Sequence, residues 1–216
     1  MNENLLKHVK YWPIALPRDL NRDYCHTECF GSKSKPFSFG KSDRDQNSTT
    51  NMKLEEMSLL VNFLEDDIEN LRIAALFHDI GKIGIPDNIL QKEGKLTDTE
   101  IETIKLHPVI GANIFSSTDI FKHIAPIIVA HHERVDGTGY PNNLKGNEIP
   151  YLAKILTICD CFDAMVSKRS YKEKMTIDYA IEQLNKGAGT QFDRELAESF
   201  IKLINEKREV FEEMYK

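Results

Sequence analysis

From Met52 onward the apolar residues recur at helical spacing, and no stretch alternates apolar and polar residues as a half-buried strand does. Leu54, Met57, Leu60, Val61 and Leu64 share one face at i, i+3 and i+4. A more buried helix follows through Ile68, Leu71, Ile73, Ala74, Ala75, Leu76 and Phe77, and delivers His78 and Asp79 at its C-terminal end. Gly81, Gly84 and Pro86 stop it. Thr97 with Glu100 predicts a capping box that opens a helix through Ile101, Ile104 and Lys105. Pro108, which lacks an N–H, must kink or restart that helix. Further helices are predicted over Phe121–His132, Tyr151–Ser167, Ile177–Lys186 and Asp193–Glu212, with a Gly-, Asn- and Pro-rich loop over Glu133–Pro150. The fold class is therefore all-α, a compact helical bundle.

Residues 1–51 read differently. They carry Pro13, Pro17 and Pro36 among many Ser, Asn, Asp and Lys residues, and no period persists. This segment is read as an irregular or divergent N-terminal piece, and residues 52–216 as the functional domain. A chain of 216 residues with 41% apolar residues suits one domain with an appendage. A net charge of −6 argues against binding a nucleic-acid polymer by general electrostatics. No apolar run approaches the ~20 residues of a membrane span, and the first residues lack the apolar core of a signal peptide, so the cytoplasm is the expected compartment. Cys25-His26-Thr27-Glu28-Cys29 resembles half a zinc site, but no second Cys/His pair follows. Cys159 and Cys161 are read as small buried residues of a packed helix.

The chemistry-bearing residues cluster. His78-Asp79, His107, His131-His132 and Asp160 include most of the histidines in a chain that has seven. Imidazoles and carboxylates suit iron, manganese or zinc. Adjacent helical residues point about 100° apart, so His131 and His132 can reach one centre only at a helix end or beside a second metal. Asp160 stands in Ile158-Cys159-Asp160-Cys161-Phe162, where an unpaired carboxylate would be costly. A metal, or a metal-binding His, would offset that cost. These features predict a hydrolytic metal centre.

The motifs His78-Asp79-Ile80-Gly81-Lys82, His107-Pro108 and His131-His132-Glu133-Arg134 with Asp136-Gly137-Thr138-Gly139-Tyr140-Pro141 together resemble the HD-GYP family. Asp160, Phe162-Asp163-Ala164, Arg169, Tyr171 and Gly187-Ala188-Gly189-Thr190-Gln191-Phe192-Asp193 continue the resemblance. It implies an HD-superfamily bundle that hydrolyses cyclic di-GMP, to linear pGpG or GMP, at two or three divalent ions, often iron or manganese. It also implies residue roles. Asp79 bridges two metals, His78 and Asp160 complete one, and His107, His131 and His132 hold the other. Lys82 and Arg169 contact substrate phosphate. Gly139, Tyr140 and Pro141 support ligand and partner recognition, a GGDEF-type diguanylate cyclase being one such partner. Two metals about 3.5–4 Å apart acidify a bridging water and neutralise phosphoryl charge.

One departure stands out. The family supplies a further His ligand roughly 30 residues before the His-Asp pair. That register falls on Gln46-Asn47-Ser48-Thr49-Thr50-Asn51, which holds neither His nor Glu. Asp43 or Asp45 is the available substitute. The expectation is a well-bound metal on the His107, His131, His132 side and a weaker one on the His78, Asp160 side. Alternatives kept open are a cyclic di-GMP receptor of low or no turnover, and an HD phosphohydrolase for another nucleotide.

Overall fold

The computed structural model describes residues 65–92, 94–167 and 175–215. The boundary near Asn51, the amphipathic stretch of Leu54 to Leu64, Cys25 to Cys29 and the Gln46–Asn51 register lie outside the described residues. So do Arg169 and Tyr171.

The described residues form nine α-helices and no sheet. These are α1 (Glu65–Phe77), α2 (Asp87–Leu90), α3 (Asp98–Ile104), α4 (His107–Ser116), α5 (Ala125–Val129), α6 (Tyr151–Val166), α7 (Ile177–Gly187), α8 (Arg194–Glu206) and α9 (Arg208–Met214). A 3-10 turn, Ile80–Gly84, joins α1 to α2. The all-α expectation holds, and none of these helices is long and apolar enough to cross a membrane.

The bundle is organised around α6. Thirteen of its 16 residues are buried, as expected of a helix with neighbours on every side. Leu71, Ala74 and Ala75 of α1, Ile127 and Ile128 of α5, and Ala180 and Leu184 of α7 join it in the main core. At its C-terminal half, Phe162 meets Phe200 of α8 and Phe211 of α9 edge-on, with ring centroids 5.3 and 5.7 Å apart. A smaller apolar cluster of Ile85, Leu90 and Ile104 steadies the segment between the 3-10 turn and α4.

The helix signals act as read, with two corrections. Thr97 and Glu100 make the reciprocal capping box, and Lys92 secures the Glu100 carboxylate at 2.6 Å. Pro108 restarts the chain: α3 ends at Ile104, and α4 begins at His107 with Pro108 in its first turn, where the missing N–H costs nothing. The helix expected over Phe121–His132 is confined to α5. Pro126 lies at its start and Ala130 leaves helical geometry at φ −98°, ψ 4°, so both histidines fall just past a helix end. The single helix expected over Asp193–Glu212 is two. Lys207 at φ −115°, ψ 30° breaks it, which turns Phe211 back into the core at 0% exposure.

Candidate metal centre

Four elements bring the predicted residues together. His78 and Asp79 leave the end of α1, His107 opens α4, His131 and His132 follow α5, and Asp160 lies on α6. Gly81 lets the first two meet: a Cβ there would overlap the carbonyl oxygen of His107 and the backbone nitrogen of Gly111. Only a residue without a side chain lets α4 approach this closely.

Three of the imidazoles are oriented by one repeated device. His78 Nδ1 stands 2.7 Å from Ala75 O, His107 Nδ1 2.8 Å from Ile104 O, and His131 Nδ1 2.5 Å from Ile128 O. Each of these carbonyls is in the last turn of α1, α3 or α5, where backbone acceptors have no intrahelical donor. A carbonyl can only accept, so Nδ1 carries the proton and Nε2 carries the lone pair. The sequence places the ring three residues after its carbonyl every time.

The Nε2 atoms converge. His107 Nε2 is 3.4 Å from His131 Nε2 and 3.2 Å from His132 Nε2. With the His107 and His131 protons fixed at Nδ1, two lone pairs face each other at 3.4 Å, an arrangement that a cation between them would stabilise. Donor atoms of Asp79, His107, His131 and His132 all lie within 4.8 Å of one another, close to the span of ligands held about 2.1 Å from one ion. The donor set therefore fits a divalent metal.

Asp79 faces both ways. Its Oδ1 is 3.4 Å from His107 Nε2, and its Oδ2 is 3.5 Å from His78 Nε2. His78 Nε2 is in turn 3.6 Å from Asp160 Oδ1. The two donor groups read from the sequence thus meet on either side of one carboxylate. Lys82, 3% exposed, donates to Asp79 Oδ2 at 2.8 Å, so the cation expected near substrate phosphate sits at the centre's wall. Burial pushes His107 down to about 3 and His131 down to about 4, and holds His132 well below the ordinary imidazole value. These rings are neutral, the form that binds metal, across the ordinary pH range.

The Gly-Tyr-Pro loop lies directly on this centre. The Tyr140 ring stacks on His132, with centroids 4.8 Å apart and planes 24° from parallel, and the Tyr140–Pro141 peptide is cis. Gly139 passes so near His132 O and Arg134 N that a Cβ would overlap both. The Gly187–Asp193 turn supports the loop from behind, as Val135 and Asp136 donate to Gln191 O and Thr190 O at 3.4 and 2.9 Å. Two contributors were given no role from the sequence. Glu133, 2% exposed, accepts the amides of Asn142 and Leu144, and burial raises its carboxyl pKa. The Thr157 hydroxyl lies 2.8 Å from both His131 O and Ala153 O, which ties the His131-His132 turn to the helix bearing Asp160. A carboxylate directly after a ligand pair was the only available hint for Glu133, and nothing local marks Thr157.

A sequence profile of the HD domain matches residues 32–196. The chain is 42% identical over 159 residues to the cyclic di-GMP phosphodiesterase of Thermotoga maritima, covering 73% of this chain and 42% of that protein. It is 41% identical over 140 residues to the cyclic di-GMP phosphodiesterase response regulator RpfG of Xanthomonas campestris pv. campestris, covering 64% of this chain and 37% of that protein. The chain thus spans about two fifths of the length of these relatives. Among solved structures, Bd1817 of Bdellovibrio bacteriovorus, described as an HDG"Y"P protein, superposes with a TM-score of 0.60 at 18% identity over 74% of this chain and 51% of that one. The chain belongs to the HD domain family, and its His78-Asp79 and Gly139-Tyr140-Pro141 motifs place it in the HD-GYP branch.

Proposed function

We propose that this chain is the catalytic part of a phosphodiesterase that opens cyclic di-GMP, using two divalent ions of which iron and manganese suit the donors best. The observation that carries the reading is Asp79, whose two oxygens face two separate groups of imidazole and carboxylate donors. His107, His131 and His132 would hold one ion and His78 with Asp160 the other, Asp79 serving both. When bound, the ions supply charge neutralisation at the phosphoryl oxygens and lower the pKa of water. The protein's own contribution is positional. The His107 and His131 rings are held neutral and fixed in the ligating tautomer before metal arrives, and Lys82 donates to Asp79 from a buried position. Lys82 and Arg169 are assigned to the phosphate because a diester anion needs cationic donors. The exposed part of the Gly-Tyr-Pro loop is proposed as the face for base contacts and for a GGDEF-type partner. A cytoplasmic location belongs to the same proposal.

A second reading, a cyclic di-GMP receptor with little turnover, draws on one observation: Gln46–Asn51 offers no His or Glu to the His78 side. One experiment addresses both. Protein prepared anaerobically is analysed for metal, then assayed with cyclic di-GMP and with a mixed cyclic GMP–AMP control, alongside Asp79→Asn. The expected result is bound metal and cyclic di-GMP turnover in the parent chain, both lost in Asp79→Asn because a neutral amide cannot bridge two cations. Unchanged metal stoichiometry in Asp79→Asn would overturn the assignment. Tight binding of cyclic di-GMP without turnover at saturating metal would favour the receptor.

A further inference from the structure

Glu133, 2% exposed, is a buried charged group beside the centre that the proposed chemistry leaves unused. Its carboxylate is held by backbone amides: Oε1 accepts from Asn142 at 2.7 Å and Oε2 from Leu144 at 3.0 Å. Desolvating a carboxylate is costly, and hydrogen bonds to an ionised acceptor are strong, so this arrangement fixes the backbone it grips. The two bonds close residues 133–144 into a ring. Within it, Tyr140 N donates to His132 O at 3.2 Å, Asn143 Nδ2 donates to Gly139 O at 2.5 Å, and the Tyr140 ring lies flat on the His132 imidazole. Lys105 Nζ stands 5.6 Å from the Tyr140 ring centroid.

We propose that Glu133 and Tyr140 are positioning residues acting in series on His132: Glu133 locks the loop, the loop sets Tyr140, and Tyr140 holds the His132 ring in its ligating orientation. The inference rests on the metal reading above. It assigns the Gly-Tyr-Pro tyrosine to the metal site itself, in addition to any contact it makes with substrate. Partners that support a metal ligand typically contribute 10–100-fold to metal affinity.

The test uses Co2+ titrated into the full chain and into Glu133→Gln, Tyr140→Phe, Tyr140→Ala and the Glu133→Gln/Tyr140→Ala double variant. Binding is followed by calorimetry and by the visible absorption of the bound ion, with circular dichroism confirming that each variant is folded. Hydrogen exchange of the Asn142 and Leu144 amides is measured in parallel. Glu133→Gln and Tyr140→Ala should each weaken Co2+ binding about tenfold and alter its absorption. Tyr140→Phe, which keeps the stacking ring, should bind Co2+ as the parent does. The double variant should be no worse than the weaker single, because one device cannot be lost twice. The two amides should exchange faster in Glu133→Gln. Parent-like Co2+ affinity and spectrum in Tyr140→Ala, multiplied losses in the double variant, or unchanged exchange in Glu133→Gln would each overturn the proposal while the metal reading stands. A parent chain that takes up no Co2+ would overturn the metal reading and this proposal together.

Discussion

Single residues at the centre carry consequences that differ in kind. His107 and His131 are held at about 3 and about 4, against an ordinary value of 6.5, chiefly by burial. The unfolded chain therefore binds protons that the metal-free native chain refuses between pH 6.5 and about 4. Stability present above pH 6.5 should fall as pH drops through that window. Urea midpoints of chelator-treated protein should decline steadily from pH 7 to 4.5; a flat profile would contradict the burial of these rings. Gly81→Ala tests close approach rather than charge. Its methyl group would push the 3-10 turn off α4 and separate Asp79 from His107, costing about 1–3 kcal/mol by overpacking, and metal content should fall with stability. Arg169→Ala is expected to lose about 1.5–3 kcal/mol of cyclic di-GMP affinity with metal content intact. Equal affinity by calorimetry would remove Arg169 from the phosphate site.

At the scale of elements, the C-terminal half of α6 is held against α8 and α9 by Phe162, Phe200 and Phe211. Phe200→Ala should destabilise the fold by about 3–5 kcal/mol, read by denaturant unfolding, because Phe200 is fully buried against Phe162 and Phe211. A loss below about 1 kcal/mol would mean that this end of the bundle repacks freely. The element ends also show what the sequence could disclose. Thr97 with Glu100 and Pro108 marked helix starts correctly because caps and proline act within a few residues. That His78, Asp79, His107, His131, His132 and Asp160 come together was legible because few side chains have metal-donor chemistry and they recur in a motif. The break at Lys207 was hidden: Lys and its neighbours favour a helix, and it is the burial of Phe211 that turns the chain. Glu133 and Thr157 were hidden because the loop and turn they hold lie 9 to 26 residues away in sequence.

For the whole molecule, the proposed centre draws its donors from four separate stretches of chain, so metal binding there would be linked to folding. A ligand present at 100 times its Kd stabilises the native state by about 2.7 kcal/mol. Calorimetric scans with and without a chelator should show a lower Tm for the stripped protein, and re-addition of Mn2+ should restore it. Equal Tm values would mean that the unfolded chain holds the ion as well as the folded one does.

The three rings whose Nδ1 atoms close off the last turns of α1, α3 and α5 give this linkage a kinetic side. On the proposed metal reading, a ring that left its ion would also abandon a helix end, and a helix end that frayed would withdraw a ligand. Ion release and terminal fraying would then be one event seen from two directions. The dwell time of the ion should follow the opening rate of those final turns, and loading the centre should slow their exchange with solvent ahead of any other part of the bundle.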